Sequence, residues 1–270
     1  MDRYAVIGQP VAHSLSPRIH ALFAQQTQQT LSYEALEVSP ESLADTLKKL
    51  HADGWRGFNI TLPHKLAVAA LCESVSERAQ LAGAVNTLIR TDSGWKGDNT
   101  DGVGLIRDLK NQGIAVTGKR VLLLGAGGAA RGVIKPLLDE KPAELTLSNR
   151  NPWKPEKIAV EFKAHGNIRP ATHLSLRGDQ FDLVINATSA GHDGVMPRVS
   201  AGVLAKGCVC YDLSYGKAHA PFAAWAQQQN AAKIADGLGM LVEQAATSFE
   251  LWRGVRPTTI TALSELRKAG

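Results

Sequence analysis

A glycine-rich turn follows an uninterrupted apolar run, Val121–Leu124, near the middle of the chain. Gly125, Gly127 and Ala130 have the G-x-G-x-x-G/A spacing of a turn that binds a dinucleotide. The first glycine permits the sharp bend, the second lets the backbone approach a pyrophosphate, and the third position must be small for the helix to pack on the sheet. The unpaired N–H groups and the dipole of the following helix favour phosphate. The turn predicts a bound dinucleotide, although turns of this composition also occur without a ligand.

The next predicted strand indicates which dinucleotide this is. It covers residues 144–149 and is followed by Arg150 and then Lys154, whereas the first acidic residue after it is Glu156. An acidic residue about 20 positions past the glycines binds the ribose 2′-hydroxyl of NAD, and an arginine there accommodates the 2′-phosphate of NADP. The guanidinium of Arg150 matches a phosphate, and Lys154 adds a second positive charge. The pattern predicts NADP(H), with a solvated basic turn as the alternative interpretation.

An enzyme that uses a nicotinamide cofactor also needs a group that handles the proton on the alcohol oxygen. Lys65 and Asp101 are the candidates, since each lies near the start of a predicted helix at the boundary between two predicted lobes. Pro63 is expected to begin the helix that carries Lys65 in its first turn, where a lysine opposes the helix dipole. Local conflicts of this kind often occur at functional positions. An exposed surface lysine is the alternative interpretation.

Several polar residues near the amino ends of predicted helices can be explained as caps. Ser16 before Pro17 is a predicted N-cap, which leaves the Ser14 hydroxyl free for another role. Ser74 and Glu77 have the spacing of a capping box. Residues 97–102, Gly-Asp-Asn-Thr-Asp-Gly, contain more polar side chains than one cap requires. That surplus calls for a second explanation.

The order of the predicted elements indicates an α/β protein of two lobes. From Arg120 onward strands alternate with helices, which predicts a parallel, doubly wound sheet. We expect a Rossmann-type NADP-binding domain over residues 102–236. We expect a substrate-binding and catalytic α/β lobe over residues 1–101, completed by residues 237–270, whose C-terminal helices pack back on it. A cleft is expected between the two lobes.

Composition excludes several other classes of protein. The 270 residues are 44% hydrophobic and 20% charged, as in ordinary globular proteins, and the net charge of +5 is dispersed. We therefore expect a small anionic ligand and no nucleic-acid or membrane partner. Cys72, Cys208 and Cys210 form no metal or disulfide pattern, so no metal is expected and a reducing cytoplasm is the expected compartment. A signal peptide is not expected.

Several motifs, taken in order, resemble those of the shikimate dehydrogenase family. In the first half they are Ser14-Leu15-Ser16-Pro17, Asn59-Ile60-Thr61-Leu62-Pro63-His64-Lys65, Gly83-Ala84-Val85-Asn86-Thr87 and Gly97-Asp98-Asn99-Thr100-Asp101-Gly102. In the second half they are Gly125–Arg131, Asn149-Arg150, Asn186-Ala187-Thr188-Ser189 and Asp236-Gly237-Leu238-Gly239-Met240-Leu241. The resemblance implies NADPH-dependent, reversible reduction of 3-dehydroshikimate to shikimate, a step toward chorismate and the aromatic amino acids.

The resemblance also implies roles for individual residues. Lys65 and Asp101 would be the catalytic pair and would also contact the substrate. The other substrate-binding residues would be Ser14, Ser16, Asn59, Thr61, Asn86, Tyr215 and Gln244. The cofactor-binding residues would be Glu77, Gly125, Ala126, Gly127, Gly128, Ala129, Asn149, Arg150, Asn151, Lys154, Thr188, Ser189, Leu213, Gly237 and Met240. The chain departs from the family pattern at Asn151, where threonine is usual, and at Lys154, where arginine is common.

Two alternatives remain open from the sequence. A quinate/shikimate dehydrogenase with relaxed substrate or cofactor use would share nearly every motif. A non-catalytic NADP(H)-binding sensor would share the glycine turn, although Lys65 and Asp101 argue against it. A monomer and a homodimer are equally compatible with the sequence.

Overall fold

The computed structural model describes residues 1–268, which contain twelve β-strands and nine α-helices. The strands are β1 (Asp2–Gly8), β2 (Leu31–Glu37), β3 (Gly57–Ile60), β4 (Ser74–Val75), β5 (Thr87–Arg90), β6 (Trp95–Asp98), β7 (Arg120–Leu124), β8 (Glu144–Asn149), β9 (Ile168–Thr172), β10 (Phe181–Asn186), β11 (Leu204–Asp212) and β12 (Lys233–Ala235). The helices are α1 (Ser16–Gln26), α2 (Leu43–Ala52), α3 (Glu77–Ala82), α4 (Asp101–Asn111), α5 (Gly128–Asp139), α6 (Trp153–Glu161), α7 (Ala220–Gln228), α8 (Leu238–Arg253) and α9 (Thr259–Lys268).

The chain divides into two compact units. The first comprises Met1–Gly104 together with the chain from Leu241 onward, and the second comprises Leu105–Met240. Most of α8 and all of α9 therefore belong with the N-terminal strands. The chain passes from one unit to the other twice, once within α4 and once near the start of α8.

The sheet of the first unit has six strands in the order β2-β1-β3-β5-β6-β4. β1 runs parallel to β2 and β3, whereas β5 runs antiparallel to both β3 and β6. The carboxyl ends of β1, β3 and β6 therefore lie at the same edge of the sheet as the amino end of β5. Ile7, Phe58, Leu88 and Trp95 form a core with Leu47 of α2, which holds these strand ends in register.

The sheet of the second unit is entirely parallel, in the order β12-β11-β10-β7-β8-β9. Counted along the unit, this is the 3-2-1-4-5-6 strand order of dinucleotide-binding folds. The order reverses between β7 and β10, and ligands of such sheets bind outside the carboxyl ends of the strands at that point. The predicted Rossmann-type sheet is confirmed.

The sequence does not predict the two edge strands of this sheet, β9 and β12. β9 contains Arg169 and Pro170, and proline is tolerated in a sheet mainly at an edge, so the usual apolar pattern of a strand is missing. β12 has three residues, too few to show any period. Cys208 and Cys210 of β11 are both buried and pack in the core of this unit.

Among residues 1–268, no helix is long and apolar enough to cross a membrane. The same residues contain no group of three or more His, Cys, Asp or Glu side chains arranged to hold a metal ion.

Candidate active site

Lys65 and Asp101 form an ion pair at the polar edge of the first sheet. The Nζ atom of Lys65 lies 2.6 Å from Oδ2 of Asp101, although the residues are 36 positions apart. Their side chains are 15% and 5% exposed, so the ammonium group keeps a small opening while the carboxylate is covered. A lysine beside a carboxylate in a site largely closed to water can hold or move a proton on a substrate oxygen.

Asn86 holds the other oxygen of this carboxylate. Its Nδ2 donates to Oδ1 of Asp101 at 2.8 Å and also lies 2.9 Å from Thr100 Oγ1 and 3.1 Å from Gln244 Oε1. Its Oδ1 accepts from the Thr100 amide and the Thr87 hydroxyl, each at 2.8 Å. Because both ends of the amide are hydrogen-bonded, Asn86 cannot rotate without losing several bonds, and the orientation of the carboxylate is set.

The surplus of polar residues before α4 has a separate contact for each member. Asn99 Oδ1 accepts from the Asp101 amide at 3.1 Å and so caps the helix. Asp98 accepts two hydrogen bonds from Arg78, at 2.7 and 2.8 Å, and another from the Ser76 hydroxyl. Burial alone would raise the pKa of Asp98, but these donors outweigh it and hold the pKa below its usual range. Asp101 is thereby left to pair with the lysine.

The predicted helix beginning at Pro63 is wrong. Residues 62–66 form turns, and a short 3₁₀ helix, Ala67–Leu71, follows them. The Lys65 carbonyl accepts from the Val85 amide at 2.8 Å, so a neighbouring segment fixes this backbone. Proline is common in a first helical turn but equally common in loops, and Lys65 does not oppose a helix dipole here.

The prediction that Ser16 is the N-cap of α1 is also wrong. α1 begins at Ser16, Leu15 occupies the cap position, and the Ser14 hydroxyl accepts the Ser16 amide at 3.2 Å. Ser14 therefore accepts a hydrogen bond from the first amide of α1, and the Ser16 hydroxyl interacts with Tyr33. Thr61 follows β3 at the same edge of the sheet. These three hydroxyls provide donors suited to a carboxylate.

The prediction that Ser74 opens the next helix is likewise wrong. Ser76 is the N-cap of α3, because its hydroxyl accepts the Ala79 amide, whereas Ser74 lies in β4. Glu77 is therefore the first residue of the helix and is exposed to solvent. Its predicted role near the cofactor stays a prediction.

Both ends of the Asn59 side-chain amide form hydrogen bonds within the protein. Its Oδ1 accepts from the Tyr33 hydroxyl at 2.8 Å and lies 3.2 Å from His20 Nε2, while its Nδ2 donates to Ser248 Oγ at 3.0 Å. His20 stacks on Tyr33 with 4.2 Å between ring centroids. Burial lowers the pKa of His20 to about 3, against a weaker opposing effect of Asn59, so the ring is neutral at ordinary pH. These contacts favour a positioning role for Asn59.

The glycine turn of the second unit has the backbone geometry that its spacing predicts. Gly125 has a φ of +106°, and a Cβ there would lie 2.8 Å from the Ala187 carbonyl oxygen. A Cβ on Gly127 would meet no atom within 4 Å, and this residue precedes α5 without any side-chain cap. Ala130 is fully buried against the sheet. Uncapped amides beside open space at the strand-order reversal fit the pyrophosphate of a dinucleotide.

The basic turn after β8 is preorganised by two asparagines. Asn149 Nδ2 donates to the Asn151 carbonyl at 3.1 Å, and Asn151 Oδ1 accepts the Trp153 amide at 3.0 Å. Arg150 and Lys154 are exposed, and neither forms an ion pair with another residue of the described chain, 1–268. Two available cations on a fixed turn fit the 2′-phosphate of NADP(H).

Asn186 holds Thr188 and is itself held by Asp212, and the sequence interpretation gave neither of these two residues a role. Asn186 Oδ1 accepts from the Thr188 hydroxyl at 2.8 Å and from its amide at 3.1 Å. Asn186 in turn donates to the buried Asp212 at 3.0 Å, and His219 Nδ1 lies 3.1 Å from the same carboxylate. Burial raises the pKa of Asp212, although the His219 contact lowers it in part. The available signal was that each strand, β10 and β11, ends on a polar residue after an apolar run.

Models of three shikimate dehydrogenase domains match the chain. The substrate-binding domain matches residues 6–88, the shikimate/quinate 5-dehydrogenase domain residues 108–212, and the C-terminal domain residues 237–259. A relative named shikimate dehydrogenase (NADP(+)), from Nitrosospira multiformis, is 50% identical over 99% of this chain and 98% of its own length. The chain belongs to the shikimate dehydrogenase family.

Solved structures of similar proteins support the same family. An Ael1 enzyme from Pseudomonas putida is 44% identical, with a TM-score of 0.91 over 98% of each chain. A shikimate 5-dehydrogenase from Thermus thermophilus, solved in complex with NADP(H) and shikimate, is 34% identical, with a TM-score of 0.86 over 100% of each chain.

The remaining residues predicted from the family pattern are divided between the units. Asn86, Asp101 and Gln244 form one hydrogen-bonded group with Lys65 in the first unit. Tyr215 belongs to the second unit, where it follows β11. The second unit also contains Ala126, Gly128, Ala129, Ser189, Leu213, Gly237 and Met240. Their roles in this member of the family stay predictions.

Proposed function

We propose that the chain catalyses the NADPH-dependent, reversible reduction of 3-dehydroshikimate to shikimate. The chain is an oxidoreductase of the shikimate dehydrogenase family, and relatives about half identical to it carry the name shikimate dehydrogenase (NADP(+)). The observation that carries the proposal is the covered Lys65–Asp101 ion pair, with its carboxylate held by Asn86. A protein that only bound the cofactor would have no use for a buried proton-handling pair.

The polar edge of the first unit binds the substrate. Ser14, Ser16 and Thr61 donate hydroxyl hydrogen bonds to its carboxylate, while Asn86 and Gln244 contact its ring hydroxyls. Asn59 acts through Thr87, Ser248 and the main chain of Asn86, to which its amide donates. Tyr215 is a further proposed contact of the substrate.

Lys65 handles the proton on the substrate oxygen that is reduced. In the reduction its ammonium group donates a proton to that oxygen, and in the oxidation its amine takes the proton back. Asp101 keeps Nζ oriented through the 2.6 Å contact, and Asn86 prevents the carboxylate from turning away. Because the pair is covered, little water competes for this proton.

The second unit binds NADP(H), which when bound supplies or accepts the hydride. Gly125 to Ala129 contact the pyrophosphate through backbone N–H groups, because α5 begins there without a cap. Arg150 and Lys154 bind the 2′-phosphate, with Asn149 and Asn151 shaping the turn. Thr188, Ser189, Leu213, Gly237 and Met240 contact the nicotinamide end, and Glu77 lies near the cofactor.

We extend the proposal to the organisation of the molecule. Residues 1–101 and 237–270 form the substrate-binding and catalytic domain, and residues 102–236 form the cofactor domain. The protein acts in the cytoplasm as a monomer or a homodimer. Light scattering of the purified protein distinguishes the two assembly states.

The experiment that tests the function is a turnover comparison of four pairings: shikimate or quinate, each with NADP⁺ or NAD⁺. The appearance of reduced nicotinamide is followed by absorbance. We expect kcat/KM to be highest for shikimate with NADP⁺. Comparable values with quinate would indicate a quinate/shikimate dehydrogenase, and cofactor binding without turnover of either substrate would refute the proposal.

A further inference from the structure

A buried carboxylate of the second unit lies against the backbone at the start of α8. Asp108, in the part of α4 that belongs to this unit, is almost fully buried. A Cβ built on Gly239 would lie 2.0 Å from its Oδ1 and 2.4 Å from its Cγ. Gly239 is therefore glycine because the carboxylate occupies the space that a side chain would need.

The carboxylate cannot easily move aside. Its Oδ2 accepts from the Tyr211 hydroxyl at 2.6 Å and from Gln112 Nε2 at 2.8 Å. Tyr211 is fully buried at the end of β11, and the Met240 main chain interacts with the same hydroxyl. Burial, together with the charge of Asp108 and the hydrogen bond to it, raises the pKa of Tyr211 far above its usual value, so the hydroxyl remains a donor.

The opposite side of the same segment is also enclosed. A Cβ on Gly237 would lie 2.2 Å from the Leu213 carbonyl oxygen, and the Gly237 amide donates to the Ser214 carbonyl at 2.9 Å. The backbone from Gly237 to Met240 is thus held between the end of β11 and the Asp108 carboxylate. A buried charge often stabilises a fold no more than apolar residues of similar volume would. The polar pair therefore serves position more than stability.

We infer that Asp108 and Tyr211 are a positioning pair that fixes the backbone of Gly239 and Met240 against the nicotinamide end of the cofactor. The inference rests on the proposed function, in which Gly237 and Met240 contact that end of NADP(H). Neither Asp108 nor Tyr211 touches a reacting atom. Their contribution is to keep this backbone in one conformation before the cofactor arrives.

The first test is Tyr211→Phe, which removes the hydroxyl and keeps the ring. Without its donor, the carboxylate can rotate away from Gly239. We expect KM for NADP⁺ and the Kd of NADPH, followed by its fluorescence, to rise about tenfold. KM for shikimate at saturating NADP⁺ should stay within about twofold of the wild-type value, because the proposed substrate contacts other than Tyr215 lie in the first unit.

Thr146→Val is the matched control for this variant. Thr146 is a fully buried residue of β8 in the same sheet, and its hydroxyl donates to the Glu144 carboxylate at 2.6 Å. The same hydroxyl accepts from Arg169 Nε at 3.1 Å, and neither of its two partners belongs to the segment 237–240. Both variants should unfold at a lower temperature than the wild type, but only Tyr211→Phe should bind NADPH more weakly.

A second test uses the space between Asp108 and Gly239. Gly239→Ala should weaken the binding of NADPH and lower the unfolding temperature, because the added methyl group clashes with the Asp108 carboxylate. Combining it with Asp108→Ala removes that clash, so the double variant should unfold at a higher temperature than Gly239→Ala alone. NADPH affinity should not recover, because the backbone has lost its support.

Two results would overturn the inference. One is a Tyr211→Phe enzyme whose NADPH affinity equals that of Thr146→Val, and the other is full recovery of NADPH affinity in the double variant. Because NADPH affinity is measured directly, the role of Asp108 and Tyr211 can be tested separately from the proposed function. If the wild type binds NADPH but does not oxidise shikimate, the function fails, while the binding comparison still decides the role of the pair.

Discussion

The two candidate binding regions are built in opposite ways. In the first unit, Lys65, Asn86, Asp101 and Gln244 are side chains that hydrogen-bond to one another before any substrate is present. In the second unit, the cofactor region is open backbone at Gly127 and free positive charge at the turn after β8. The first arrangement orients groups for chemistry, and the second holds a large anion through amides and charge. Substitutions should therefore reduce turnover in one region and affinity in the other.

The largest expected effect is on turnover, from Lys65→Ala. In the proposed function, loss of the amine removes the proton donor, while the hydroxyls and amides proposed to bind the substrate remain. We expect kcat to fall by about 10²–10⁴-fold with little change in KM for shikimate. Steady-state kinetics measure both constants, with Lys48→Ala, an exposed lysine of α2, as the control. A change confined to KM would make Lys65 a binding residue only.

The next largest effect is expected at the basic turn, from Arg150→Ala. In the proposed function the guanidinium donates a charge-assisted hydrogen bond to the 2′-phosphate of NADP⁺, a group that NAD⁺ does not have. We expect KM for NADP⁺ to rise roughly 10–100-fold while that for NAD⁺ changes little. Lys157→Ala, on the helix α6 that follows this turn, is the control, because that side chain is exposed and only weakly paired with Glu161. Equal losses for both cofactors would contradict the assignment of the 2′-phosphate.

A pair of glycine substitutions separates fold from affinity within one turn. Gly127→Ala meets open space, so the free energy of unfolding should change by less than about 0.5 kcal/mol, while KM for NADP⁺ rises roughly tenfold as amide contacts are lost. Gly125→Ala forces a side chain into a positive-φ conformation against the Ala187 carbonyl and should cost about 2 kcal/mol of stability. Urea unfolding and cofactor titration measure the two quantities. A Gly127→Ala enzyme that binds NADP⁺ normally would show that no phosphate approaches this backbone.

The same contrast explains what the sequence could predict. The glycine turn and Arg150 depend on local spacing, so both could be recognised within one strand-turn-helix segment. The hydrogen bonds from Lys65 to Asp101 and from Asn86 to Gln244 join distant segments, and without a family pattern nothing local indicates them. Local cap rules failed at Ser16 because Ser14 reaches the same helix end. Asp108 could not have been found, since its significance depends on a glycine that lies 131 positions further along the chain (239 minus 108).

The substitution with the smallest expected effect on turnover tests how firmly the first region is packed. The pKa of His20 is about 3 in the folded protein, whereas an unfolded histidine titrates near 6.5. Below about pH 6.5 the unfolded chain binds a proton at His20 that the folded protein does not bind. The contribution of the neutral ring to the free energy of unfolding is therefore complete above that pH and is lost as the pH falls toward 3. His20→Gln should reduce the slope of unfolding free energy against pH by up to about 1.4 kcal/mol per unit between pH 6 and pH 4. Urea unfolding at a series of pH values measures the slope, with His165→Gln, on an exposed histidine, as the control. An unchanged slope in His20→Gln would mean that the His20 ring binds a proton in the folded protein. The rings of His20 and Tyr33 would then be packed less tightly around Asn59 than their centroid separation of 4.2 Å indicates.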